Sequence, residues 1–296
     1  MIATITEARA CGGAAIVKSA CRTLSLPRSI WYRRQKLAQT PDPDIELRDH
    51  IQRLALVRSV YGYRRMTREL HREGIFVNHK RVLRIMRADN LLCLRKRRFI
   101  RTTDSDHGLL VYPNLAKDLK VDAVDRLWVS DITYIRLQGE FVYLAVVLDA
   151  YSRRVIGWQL SRRIDTELTL AALEDALACR NARPGLIHHS DRGVQYAATE
   201  YTQMLKDNGI AISMSRRGNP YDNAQAESFM KTLKYEEVYL SDYANLSEAQ
   251  QSIGYFLNQV YNRERLHSKL GYVPPEEFED QILRQSTDHL LTSCPI

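Results

Sequence analysis

The sequence predicts an α/β protein, a mixed five-stranded sheet with helices on its faces, preceded by an all-α region with a helix-turn-helix pattern. Three observations predict it. Residues 1–120 carry 25 Lys and Arg against 11 Asp and Glu, a net of +14, whereas the remainder carries 18 against 24, a net of −6. From about 45 to 92 the apolar residues recur at helical spacing, and from 127 they gather into short β-branched runs parted by turns. Beyond the third such run, strand-like and helix-like stretches alternate.

The elements follow in order. SACRTLSLPRSIWYRRQ reads as a small helix pair, and PDPD (Pro41 to Asp44) as a hinge. Three helices come next: IELRDHIQRLALVRSVYG, RRMTRELHREG and NHKRVLRIMRADNLL. Gly74 stops the second, and Asn78 is a good cap for the third. On the third helix Val82, Leu83, Ile85 and Met86 make an apolar side, with Lys80, Arg81, Arg84 and Arg87 outside it. Arg95, Lys96, Arg97 and Arg98 follow at once. Any one of these cations is most simply a solvated surface charge. Together, on a half-chain of this charge, they predict a nucleic-acid-binding surface.

Residues 101–121 read as a linker. LWVSDITYI, EFVYLAVVL and RRVIGWQLS then form an antiparallel meander with turns at Gln138-Gly139 and at Asp149 to Ser152. A helix in DTELTLAALEDALACR, a strand in GLIHHS, a helix in ATEYTQMLKDNG, a strand in IAISMS and a helix through Glu227 complete the order β-β-β-α-β-α-β-α. The domains expected are a helical DNA-binding region over 1–100, the linker, a catalytic core over 122–240 and a helical tail over 241–296. The last stretch, from Ile282, carries no readable signal.

No run of about 18 apolar residues occurs, and the amino terminus has no basic start before an apolar block, so the expectation is a cytoplasmic, nucleoid-associated chain without a membrane partner. Five scattered cysteines without a CxxC pair argue against a disulfide framework or a cysteine-rich zinc site.

Three acids stand out. Asp131 lies inside a strand, where a lone buried charge is costly. Asp191 follows the end of GLIHHS, and Glu227 sits near a helix start where Asp222 and Gln225 fit a capping box. Singly, each has an ordinary explanation: Asp131 paired with Arg136, Asp191 as a turn aspartate, Glu227 paired with Lys231. Jointly, if the two strands are neighbours, the acids converge, and such a trio is stable as anions when a multivalent cation neutralises it. Oxygen-only ligands select Mg²⁺ or Mn²⁺. Two such ions, about 3.5–4 Å apart, suit in-line attack on a phosphodiester.

The spacing completes the pattern. There are 35 residues between Asp191 and Glu227, and Lys234 follows Glu227 by seven. With YGYRRMTREL, WVSDITYI, LDAYSRRVIGW, HHSDRGVQY, GNPYDNAQAESF and YNRERLHSKLGYVPPEEF, the chain resembles the D,D(35)E transposases and retroviral integrases from Tyr61 to Phe278. It is most similar to the OrfB product of insertion-sequence-three (IS-three) elements. The resemblance implies a ribonuclease-H-like core with Asp131, Asp191 and Glu227 as catalytic metal ligands, Lys234 contacting the DNA end and Asn223 shaping the active-site edge; Asn223 and Lys231 are expected on the DNA side with Lys234. It implies cleavage at the ends of a mobile element and transfer of the freed 3′-OH to double-stranded DNA, without a covalent protein intermediate. It further implies a homo-oligomer and an upstream-frame (OrfA) partner or fusion. Leu266 stands where the family often has proline, and the retroviral His/Cys zinc module has no counterpart. A hydrolysing nuclease of the same fold, or a catalytically silent DNA-binding regulator, are the alternatives.

Overall fold

The computed structural model describes residues 17–39, 43–92, 110–180, 184–216 and 223–292, with side chains omitted over 34–39 and from 286 on. The chain forms two compact units, Met1–Cys93 and Leu94–Ile296.

In the first unit, α1 (residues 17–23) and α2 (Arg28–Gln39) bury Val17, Cys21 and Trp31 against one another, the expected helix pair. Then α3 (Ile45–Val57), α4 (Tyr63–Arg72) and α5 (His79–Ala88) pack mutually, burying Ile51, Met66, Leu70, Val82, Ile85 and Met86. The punctuation works as the residue types dictate. Gly74, at φ +82°, releases the chain from α4, and the Asn78 side chain accepts from the Lys80 amide at 2.8 Å to open α5.

The second unit is built on a sheet of order β3-β2-β1-β4-β5. β1 (Leu127–Arg136), β2 (Phe141–Asp149) and β3 (Val155–Ser161) form the antiparallel meander, and β4 (Ile187–Ser190) and β5 (Ala211–Met214) run parallel to β1. This is the ribonuclease-H-like arrangement. One face, with Trp128, Ala145 and Val147, is covered by α6 (Thr166–Cys179), α7 (Val194–Ala197) and α8 (Thr199–Asp207). The other, with Val129, Leu144 and Val146, is covered by α9 (Ala224–Leu233) and α10 (Leu246–Tyr255). β2 contributes to both layers, as its two-sided apolar sequence requires. Gly157 is where β3 meets α6 most closely: a Cβ there would lie 2.2 Å from the Ala172 carbonyl oxygen.

Several features differ from expectation. α9 and α10 each continue into a π-helical stretch, Lys234–Val238 and Phe256–Glu264. Residues 246–261, expected as the start of a separate tail, put Ala249, Ile253, Phe256, Leu257 and Tyr261 into the same core as β1 and β2. The unreadable terminus lies in α11 (Pro275–Thr292). Its first turns are fastened by Arg154, which donates to Glu276 and Glu279 at 2.8 Å each, and by Arg180, which donates to Glu279 at 2.5 Å. Proline at the first helical position followed by two glutamates was the available signal.

Candidate active site

Asp131 occupies the middle of β1, opposite Val146 of β2. On its other side β1 and β4 run parallel, with Val129 beside His189. The pairing ends there, β4 itself ends at Ser190, and Asp191 is the next residue, close enough for its charge to be felt at Asp131. The Asp131 face of β1 is the one covered by α9, which has Ala226 and Phe229 in the core and Glu227 in its first turn. One strand centre, one strand end and one helix start thus bring the three acids to a single edge of the sheet.

The electrostatics agree. Asp131 and Asp191 are half-buried, and so is Glu227. Burial, then the charge of Asp191 and that of Glu227, push the Asp131 carboxyl up to about 8, against the pull of the Ile132 amide and of Lys234. Asp131 accepts from the Ile132 amide at 2.9 Å and has no arginine partner among the described residues. Asp191 accepts from the Gly193 amide at 2.9 Å, the ordinary turn-aspartate bond, so its local and its site-directed readings coexist. Glu227 forms no ion pair with Lys231. Among the described residues no three acidic, histidine or cysteine side chains stand close enough to form a ready-made metal cage. The donor chemistry nevertheless fits a hard divalent cation: three carboxylates, oxygen ligands only, with burial and then like charges raising one member far above its usual range.

Lys234 is half-buried with Nζ 4.4 Å from the centroid of Tyr134, a ring whose part sequence reasoning missed. Burial lowers the Lys234 ammonium, and the Asp131 charge raises it back in part. Lys231 is exposed. Asn223 is the residue before α9 and donates to the Ser130 carbonyl at 3.1 Å. The capping box expected from Asp222 does not start this helix: its N-cap is Asn223, and Asp222 lies outside the described residues. His188 and His189 serve the interior. His188 Nε2 meets Ser130 Oγ at 2.7 Å and Tyr201 Oη at 3.0 Å, and burial holds its imidazole neutral, down to about 3. His189 Nδ1 meets Ser213 Oγ at 2.8 Å.

In the helical unit the basic face of α5 is divided. Lys80 and Arg87 are exposed. Arg81 and Arg84, expected to face nucleic acid, both grip the buried Asp44, Arg81 Nε at 2.6 Å, while keeping 45% and 65% of their side chains exposed. The sequence could not separate the two pairs, because Asp44 lies 37 residues before Arg81 and read as part of a hinge. Arg95, Lys96, Arg97 and Arg98 lie outside the described residues.

Comparison with known proteins follows the same division. Residues 122–220 and 208–275 match family models of an integrase core domain, and 42–99 match a model of an HTH-like domain. The transposase InsF for insertion sequence IS3A of Escherichia coli (strain K12) is 36% identical over 273 residues, 90% of this chain and 95% of that protein. The transposase for insertion sequence element IS904 of Lactococcus lactis subsp. lactis (strain IL1403) is 38% identical over 220 residues, 74% of this chain and 87% of that one. A solved structure, the catalytic core domain of BIV integrase, is 20% identical with a TM-score of 0.41, covering 55% of this chain and 99% of that one.

Proposed function

Because the chain belongs to the transposase family of IS-three insertion sequences, we propose that Asp131, Asp191 and Glu227 are the catalytic carboxylates of DNA cleavage and strand transfer. The observation that carries this reading is geometric: Asp131 lies mid-strand in β1, Asp191 follows the end of the adjacent β4, and Glu227 lies in the first turn of α9, which covers the Asp131 face, so that the charges of Asp191 and Glu227 are felt at Asp131. Asp44 and Glu279, two buried structural acids, are by contrast each bound by two arginines. Two Mg²⁺ or Mn²⁺ ions held by the trio would supply Lewis-acid stabilisation of the attacking and leaving oxygens.

The chain's own residues do the rest. The carboxylates orient the phosphodiester at the element end so that a water oxygen attacks phosphorus in line as the bond to the 3′-oxygen breaks. The freed 3′-OH then attacks a phosphodiester of a second duplex, again in line, displacing a target 3′-oxygen. Bonds to phosphorus are conserved and no protein atom is joined to DNA. Lys234, supported by the Tyr134 ring, holds a backbone phosphate beside Asp131, and Lys231 extends that contact. The helical unit holds duplex through Lys80 and Arg87, with Arg81 and Arg84 presenting their exposed faces to phosphate. An upstream-frame OrfA partner or fusion and assembly of several copies complete the proposal.

The test is strand transfer on labelled duplexes carrying the element's end, with Mg²⁺ or Mn²⁺, comparing the chain with Glu227→Gln, alone and as the upstream-frame fusion. The expected result is metal-dependent joining that Glu227→Gln abolishes while DNA binding survives. Binding without joining by both the chain and the fusion would overturn the reading and leave a regulator.

A further inference from the structure

Asn223 stands at the N-cap of α9, four residues before Glu227, and does not do what an N-cap asparagine ordinarily does. Such a residue turns its side-chain oxygen onto the second or third amide of its own helix. Here no side-chain cap bond forms. Nδ2 instead donates to the carbonyl of Ser130 at 3.1 Å, 93 residues away in sequence, and Oδ1 is buried without a hydrogen-bond partner. The residue is 8% exposed. The side chain makes one tertiary contact and no bond to its own helix.

The place of that contact gives it meaning. β4 ends at Ser190, beside Ser130, so β1 loses its parallel neighbour where Asp131 begins. The Asn223 amide caps the strand there, donating to the carbonyl of the peptide unit that joins Ser130 to Asp131. Ser130 is itself immobilised from below: its Oγ meets His188 Nε2, which also meets Tyr201 Oη, and all three residues are buried. The bond therefore runs from a fixed point next to the first acid to the residue that starts the helix of the third.

We propose that Asn223 is a positioning residue that sets the separation of the Asp131 strand and the Glu227 helix, and through it the affinity of the acid trio for its cations. The proposal rests on the catalytic reading above. It gives the expected place of Asn223 at the active-site edge a definite role inside the protein, apart from contact with DNA.

The experiment is Mn²⁺ binding to the DNA-free chain, followed by the EPR signal of free Mn²⁺, for the wild type, Asn223→Ala, Asn223→Gln and Asp131→Asn, with affinity for end duplex measured in EDTA. Loss of a group that orients ligands from outside the coordination sphere weakens metal binding by about 10–100-fold. Asn223→Ala is expected to weaken Mn²⁺ binding at the low end of that range, leave duplex affinity unchanged, and regain joining at raised Mn²⁺. Asn223→Gln, which keeps the amide on a longer arm, is expected to fall between. Wild-type Mn²⁺ binding by Asn223→Ala, or lost duplex affinity with Mn²⁺ binding intact, would overturn the positioning role. If Asp131→Asn itself binds Mn²⁺ as the wild type does, the catalytic reading fails and the positioning role fails with it. If Asp131→Asn alone abolishes binding, only the role of Asn223 is overturned.

Discussion

Asp44 in the helical unit and Asp131 in the core are both aspartates drawn into the protein, and the two units treat them oppositely. Asp44 is 2% exposed and receives two guanidinium groups; Arg81 first, then Arg84, hold its carboxyl below the ordinary 3.8. Asp131 receives no guanidinium among the described residues; burial first, then the charges of Asp191 and Glu227, push its carboxyl up to about 8. Asp44, whose task is to fix a fold, is given two cations by the chain, and Asp149, fully buried in the core, is satisfied by amides and a hydroxyl. An acid left among like charges, in a protein that supplies arginines freely elsewhere, is kept for a cation that comes from outside.

The contrast would be trivial if it reflected only the charge of the two units, and Glu279 shows that it does not. This glutamate lies in the acidic part of the chain, is 5% exposed, and is bound by Arg154 and Arg180. Glu279→Gln leaves two largely buried guanidinium groups short of charge, and breaking a buried pair from one side costs about 3–5 kcal/mol. That is the largest stability effect expected here, read as the shift of the core's urea midpoint at constant slope. A shift below 1 kcal/mol would mean that α11 is held by its apolar contacts alone.

Asp44→Asn is the same operation in the helical unit, where Arg81 and Arg84 remain 45% and 65% exposed. Solvent screens the pair, so the expected loss is smaller, about 1–2 kcal/mol. Its pH dependence follows from the sign of the shift. A carboxyl lowered in the folded state contributes stability above its unfolded value of 3.8 and loses it as pH falls through the folded value. Wild type and Asp44→Asn should therefore differ at pH 7 and converge in acid below pH 4. A difference that persists there would point to lost packing, not to the ion pair.

Much of this was legible in the sequence, and what was not has definite causes. The β1 and β2 runs, the caps at Gly74 and Asn78, and the anomaly of an aspartate inside LWVSDITYI are local signals, and the elements they announce formed. Asp44 was illegible because its partners lie across the helix trio. The contact of Asn223 was illegible because its amide goes to a strand 93 residues away. The π-helical stretch at Lys234 adds a residue to a turn without altering the apolar pattern, so periodicity passes over it. Arg265 binds Glu236 within that stretch through two bonds of 2.7 Å, joining the YNRERLH segment of the tail to the helix of Glu227 in the core.

The smallest effect expected has the opposite sign and tests the comparison most sharply. Asp131→Asn removes a carboxyl that, pushed up from 3.8 to about 8 by burial and the neighbouring acids, must take up a proton on folding at neutral pH, and gives up one hydrogen bond to the Ile132 amide. In EDTA the variant should be more stable than wild type by roughly 0.5–2 kcal/mol, the range usual when a strained functional site is relaxed. Adding Mn²⁺ should reverse the order. A ligand stabilises the folded state by RT ln(1 + [L]/Kd), about 2.7 kcal/mol at a hundred times Kd, and only the wild type retains the full carboxylate set to gain it. Asp44→Asn, measured in parallel, should show the same loss with and without the metal. A crossing of wild type and Asp131→Asn on metal addition, with Asp44→Asn unmoved, separates an acid kept for an external cation from one that the fold neutralises itself. Parallel curves for all three would place Asp131 with Asp44, as a structural acid whose partner was misidentified.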